Sequence, residues 1–185
     1  MGFISRLKKL LSSPPTQEEE DNAILRTTPV SEVYRLHGTS SAVIPEDTPL
    51  ESVIARFAGE PSLRGMFLVD SMQKYTGVVT RIDLLKWAHL KLFGGKGRRE
   101  FTVSEFYNFI DAKKAKDICR CAGLPFSVGE GDMLQIALGK MLDNEEDVLP
   151  VLNSRSEILG DLRLSEILSW MLTNRQDRFG NTNEV

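Results

Sequence analysis

Apolar positions along this chain switch between two periods, and they do so twice in the same order. Ala42, Val43 and Ile44 make a short β-forming run. Leu50, Val53, Ile54 and Phe57 then follow the i, i+3, i+4, i+7 spacing of an amphipathic helix. Residues 66–69 and 75–80 read as two extended runs around a turn, and a second helix opens with Asp83, Leu84, Leu85, Lys86 and Trp87. The order returns downstream. Phe126, Ser127 and Val128 are the short run, and Leu134, Ala137, Leu138 and Met141 the first helix. Residues 148–152 and 158–162 are the strands, and Glu166 to Trp170 open the last helix. Each copy reads β-α-β-β-α, with Asp47 or Thr48, and later Asp132, expected as helix N-caps.

The copies align residue by residue. Gly77 matches Gly160, Asp83 matches Glu166 and Trp87 matches Trp170, each 83 positions apart; Leu50 matches Leu134 at 84 and Val33 matches Ile118 at 85. A unit of about 60 residues buries a marginal core alone, so two are expected to pack as a pseudo-two-fold pair with a shared core. The expected class is mixed α/β (α+β). The segments expected are an N-terminal amphipathic helix and linker (1–26), the first repeat (27–92) and a linker with a connecting helix (93–114). The second repeat (115–172) and a flexible tail (173–185) complete the chain. Within the first segment, Pro14, Pro15 and the acidic run from Glu18 to Asp21 read as a solvated linker over 12–22.

The stretch Gly77-Val78-Val79-Thr80-Arg81-Ile82-Asp83, running from a strand into a helix, resembles the signature of the CBS domain. That module is named for cystathionine β-synthase and occurs in tandem pairs. Leu149-Pro150-Val151, Val30-Ser31-Glu32-Val33 and Ala115-Lys116-Asp117-Ile118 are similar to further family segments, and the resemblance spans about residues 27–172. It implies a non-catalytic regulatory or sensor module. Such a module binds AMP, ADP, ATP or S-adenosylmethionine in a cleft between its repeats, with no catalytic cofactor. It also implies a flat homodimer formed through helices, and a client enzyme, transporter or channel. On this resemblance Asp83 accepts hydrogen bonds from ribose hydroxyls and Thr80 offers a hydroxyl to ribose or phosphate. The helix start adds a field favourable to phosphate. Ala42, Ile44 and Met66 would flank the base.

Two alternatives stay open. Thr80 and Asp83 also spell an ordinary T-x-x-D capping box, which needs no ligand. In the second copy, Arg163 stands at the hydroxyl position, Glu166 at the aspartate position, and a charged Asp161 in the strand. Arg163 and Glu166 either form a second site, holding phosphate and ribose, or pair with each other and leave that cleft empty. The functional alternative to a sensor is a ligand-free interaction scaffold that regulates a partner.

Composition narrows this picture. The 185 residues are 41% hydrophobic and 26% charged, ordinary for a folded domain. A net charge of −3 offers no long-range attraction to nucleic acid, and no apolar run approaches the ~20 residues of a membrane span. Phe3, Ile4, Leu7, Leu10 and Leu11 line one side of a terminal helix with Arg6, Lys8 and Lys9 opposite. That helix either packs on its own domain or a dimer mate, or meets a membrane surface or partner. Cys119 and Cys121 fit a reducing, cytoplasmic compartment and lack the further ligands of a zinc site. Gly94, Gly95, Lys96 and Gly97 form no phosphate loop, and Asn144, Glu145, Glu146 and Asp147 read as a solvated turn rather than a metal site.

Overall fold

The computed structural model describes residues 16–34, 41–94, 103–121 and 126–179. The basic-apolar stripe over residues 3–11 and residues 95–99 of the glycine-rich break lie outside these. The first unit comprises β1 (Ala42–Pro45), α2 (Leu50–Gly59), β2 (Gly65–Val69), β3 (Tyr75–Thr80) and α3 (Arg81–Phe93). The second comprises β5 (Val128–Gly129), α6 (Leu134–Asn144), β6 (Val148–Leu152), β7 (Ile158–Arg163) and α7 (Leu164–Phe179). Helix α1 (Gln17–Thr27) and a 3-10 turn (Val30–Glu32) lead into the first unit. Helices α4 (Val103–Ile110) and α5 (Ala115–Ile118) and the short strand β4 (Arg120–Cys121) lead into the second.

One sheet has the order β1-β2-β3-β4 and the other β5-β6-β7. In each, the first strand runs parallel to the second, with Ala42 opposite Met66 and Val128 opposite Val151, and a hairpin follows. The two hairpin turns are the same turn. Asp70 Oδ1 accepts from the N–H groups of Met72 and Lys74, and Asn153 Oδ1 from those of Arg155 and Glu157. Gln73 and Ser156 take the left-handed φ that such turns require.

Strand β2 is buried on both faces, which explains its unbroken apolar run. Met66 and Leu68 pack with Leu50, Val53 and Phe57 of α2. Phe67 joins Val148, Val151 and Leu162 of the second unit. Each such side chain contributes at most about 1.5–3 kcal/mol on the area scale.

The lead segments are exchanged between units. Val30, Val33 and Tyr34 precede the first unit yet lie in the core of the second, whereas Ala115 and Ile118 precede the second and lie in the core of the first. Backbone pairing follows suit. Pro29 bridges to Met133 and Lys114 to Pro49, with Leu134 N–H donating to Thr28 O and Leu50 N–H to Lys113 O. Neither unit has a complete core without the chain that introduces the other.

Three local expectations are corrected. The N-cap positions of α2 and α6 are Pro49 and Met133, and neither helix has a side-chain cap. Backbone donors of these helices instead reach the exchanged segments. Thr48 Oγ1 donates to Pro45 O, Asp132 accepts from Gly129 N–H, and Asp47 ion-pairs with Lys114 and Lys116. The acidic run from Glu18 belongs to helix α1, whose N-cap Thr16 forms a capping box with Glu19 and whose Ile24 is buried. Acidic residues in a first turn favour a helix through its dipole, so their charge did not argue for a linker. The last helix continues past Thr173 to Phe179. Among the described residues, no helix is long and apolar enough to cross a membrane.

Candidate functional site

Thr80 and Asp83 sit where β3 passes into α3. Thr80 is the N-cap residue with extended backbone, so Asp83, three residues on, folds back over the first turn. Asp83 Oδ2 accepts from both the Thr80 N–H and the Thr80 hydroxyl, each at 2.9 Å. Each residue is only 1% exposed. The junction is close-packed because Gly77 lies beside β4. A Cβ at residue 77 would stand 2.7 Å from the Arg120 carbonyl oxygen. At the equivalent Gly160 it would meet the Tyr34 ring at 3.1 Å.

Two residues that the sequence did not single out complete this cluster. Arg120 donates through Nε to Asp83 Oδ1 at 3.0 Å, and its Nη2 lies 2.9 Å from Glu146 Oε1. Its Nη1 reaches the Asn144 carbonyl at 2.8 Å. The Thr80 hydroxyl lies 3.0 Å from Glu146 Oε1. Glu146 is therefore no solvated turn residue: its side chain is 7% exposed and closes over the first unit from the second. Burial pushes its carboxyl above the ordinary range, while the Arg120 guanidinium and the Thr80 hydroxyl pull it back down. Only the repeat offers a sequence signal for Arg120, since it follows the family-like segment around Ile118 by two residues.

The second copy forms a parallel cluster from nearer parts. Glu166, fully buried, accepts from the Arg163 N–H at 2.9 Å and from Arg163 Nη2 at 3.2 Å. Asp161, 2% exposed, lies 3.8 Å from Arg163 Nε and accepts from the Ser41 hydroxyl at 3.3 Å. Of the two readings of this pair, the mutual ion pair is the arrangement present. Ala42, Ile44 and Met66 are brought together on β1 and β2, but facing α2 within the first core, at 6%, 8% and 0% exposure.

A groove of about 660 Å³ opens next to the first cluster, between the start of α3 and the end of α6. Ile82, Leu138, Met141 and Leu142 give it apolar walls. Arg64, Arg81, Glu145, Glu146 and Asp147 supply its charged lining, with Arg64 3.5 Å from Asp147. Glu146 thus belongs to both the buried cluster and the groove lining.

The family model of the CBS domain matches residues 27–90. No curated protein matches the sequence. Among solved structures, a CBS domain-containing protein from Thermotoga maritima is 26% identical, with a TM-score of 0.61, and the match covers 85% of this chain and 98% of that one. A CBS domain protein from Pyrobaculum aerophilum, complexed with AMP, is 18% identical over 79% of this chain and 99% of its own, with a TM-score of 0.56. The CBS domain pair of protein MJ0100, complexed with 5′-methylthioadenosine and S-adenosylmethionine, is 14% identical with a TM-score of 0.55, covering 80% and 98%. Residues 27–90 thus match the CBS domain, the second unit repeats the same elements, and the chain shares the fold of solved CBS-domain proteins, an arrangement consistent with a tandem CBS pair.

Proposed function

We propose that this protein is a regulatory, non-catalytic module that binds an adenosyl ligand (AMP, ADP, ATP or S-adenosylmethionine) at the first cluster. Asp83 would grip the ribose and Thr80 the ribose or phosphate. The observation that carries the reading is the carboxylate–hydroxyl pair at the strand–helix junction of a CBS fold, held at 2.9 Å. Structures of the same fold in complex with AMP, and with 5′-methylthioadenosine and S-adenosylmethionine, support it. For the base contacts of Ala42, Ile44 and Met66 the support is weaker, because all three are buried in the core. Arg163 and Glu166 would form a second site only after parting from one another. Calorimetric titration with the four ligands tests the proposal. Binding that Asp83→Ala removes is expected, and no binding below the millimolar range defeats it.

A second reading has its own observation in favour. Both signature carboxylates already hold a guanidinium, Asp83 from Arg120 and Glu166 from Arg163. That would suit a ligand-free scaffold acting on a client enzyme, transporter or channel. A thermal midpoint unmoved by all four ligands would favour this reading. Under either, we propose a homodimer through α3 and α7, where the repeat-related Leu85 and Leu168 are 61% and 50% exposed. The sparse cysteine content, Cys119 and Cys121 alone, supports a reducing, cytoplasmic setting.

A further inference from the structure

No ligand can touch Asp83 while Arg120 and Glu146 lie across it. The side chains of Asp83 and Glu146 are 2% and 7% exposed, but Arg120 keeps 24% of its own in solvent and stands on a strand of two residues. The guanidinium spans the two units. One edge holds Asp83 in the first, and the other holds Glu146 and the Asn144 carbonyl in the turn between α6 and β6. That turn is itself held in an uncommon conformation, with Glu145 at φ +55°. It also supplies the acidic lining of the groove.

We propose that Arg120 is an intramolecular latch that competes with the ligand for Asp83. Its release transmits occupancy of the first site to the turn over residues 144–147 and hence to the groove. This rests on the proposal that an adenosyl ligand occupies that site. The exchange is energetically feasible because it leaves neither Asp83 nor Arg120 without hydrogen-bond partners. Ribose hydroxyls replace Arg120 Nε at Asp83 Oδ1, while the guanidinium retains Glu146 and the Asn144 carbonyl as it swings outward. Ligand affinity is then lowered by the fraction of molecules in which the latch is closed. Arg120 and Glu146 move as a pair, so the groove lining shifts when the latch opens.

Adenosine is the suitable probe, since it carries no phosphate that Arg120 could bind directly. Its dissociation constant is to be measured by calorimetry for the unaltered protein, Arg120→Gln and Glu146→Gln. Arg120→Gln is expected to bind about tenfold or more tightly, and Glu146→Gln several-fold more tightly. In the unaltered protein, adenosine should speed amide exchange over residues 144–147, and in Arg120→Gln that exchange should already be fast without ligand. Should Arg120→Gln not fold, Glu146→Gln decides the matter, because it removes a holder of the latch without orphaning a buried anion. Adenosine bound equally or more weakly by the folded variants overturns the latch and leaves the ligand proposal intact. Failure of adenosine and AMP to bind any variant overturns both.

Discussion

Arg120 Nε stands 3.0 Å from Asp83 Oδ1, and across the internal repeat Arg163 Nη2 stands 3.2 Å from Glu166 Oε1. The two bridges place a cation on equivalent carboxylates but come from different parts of the chain. Arg163 lies three residues from its partner, so that bridge forms whenever the turn of helix forms. Arg120 lies 37 residues from Asp83 and arrives on a strand that opens the second unit. The first bridge therefore depends on how the units are assembled, and the second does not.

Removing a cation from either cluster should cost more than the pair gains by forming. Arg120→Leu would leave Asp83 and Glu146 buried without a counter-charge, a loss of about 3–5 kcal/mol. Adding Glu146→Gln should recover part of that loss, so that the double variant is more stable than the sum of the single changes predicts. Urea denaturation of the four proteins measures the coupling. Additive losses would mean that the three groups do not act as one network.

Two carboxyl groups should give the stability curve opposite slopes in different pH windows. Glu146 is raised in the fold, chiefly by burial, so its contribution is complete below its unfolded value of about 4.5 and is lost as pH rises through its folded value. Asp47 is lowered to about 2 by hydrogen bonds from Lys114 and Lys116. Its contribution is complete above 3.8 and is lost as pH falls through 2. Denaturation at a series of pH values should show Glu146→Gln flattening the upper window and Asp47→Asn the lower one. Parallel curves for Glu146→Gln and the unaltered protein above pH 4.5 would contradict the burial of that carboxyl.

The equivalent glycines should differ in tolerance. A methyl group at Gly77 would strike the backbone oxygen of Arg120 at 2.7 Å, where nothing can give way without displacing β4. At Gly160 it would meet only the edge of the Tyr34 ring. Gly77→Ala is expected to destabilise by about 2–3 kcal/mol and Gly160→Ala by about 1 kcal/mol. Thermal midpoints resolve this, at about 2–4 °C per kcal/mol for a chain of this size. Equal shifts would refute the distinction.

Tyr75 offers a substitution that should stabilise. Its hydroxyl is buried without a hydrogen-bond partner among the described residues, its ring meets Phe67 edge-on, and burial pushes its ionisation far above the usual range. Tyr75→Phe keeps the ring contact and removes the desolvated hydroxyl, for an expected gain of about 1 kcal/mol. A lower thermal midpoint for this variant would show that the hydroxyl has a partner after all.

The repeat, the order of elements and the CBS-like signature were legible in the chain because they are local properties. Periodicity of 2 or 3.6 marks strands and helices, and Gly77, Thr80 and Asp83 are close enough in sequence to be read as one motif. Electrostatic cues misled where charge served a local structure: Glu18 to Glu20 favour the start of α1, and Glu146 is drawn inward by Arg120. The base-flanking expectation for Ala42, Ile44 and Met66 rested on the family resemblance together with apolar character, and apolar character does not distinguish a residue that lines a cleft from one that fills a core.

What no local reading could supply is the exchange of lead segments. Val33 and Ile118 match each other perfectly well as repeat partners, yet each packs in the other unit's core. That arrangement depends on burying both faces of β2 and β6 at once, a condition satisfied only when the two units meet. The same meeting brings Arg120 to Asp83 and Glu146 to Arg120. Two similar halves and a hydroxyl–carboxylate motif follow from the order of residues; that the motif is closed by its own chain follows from how the halves are packed.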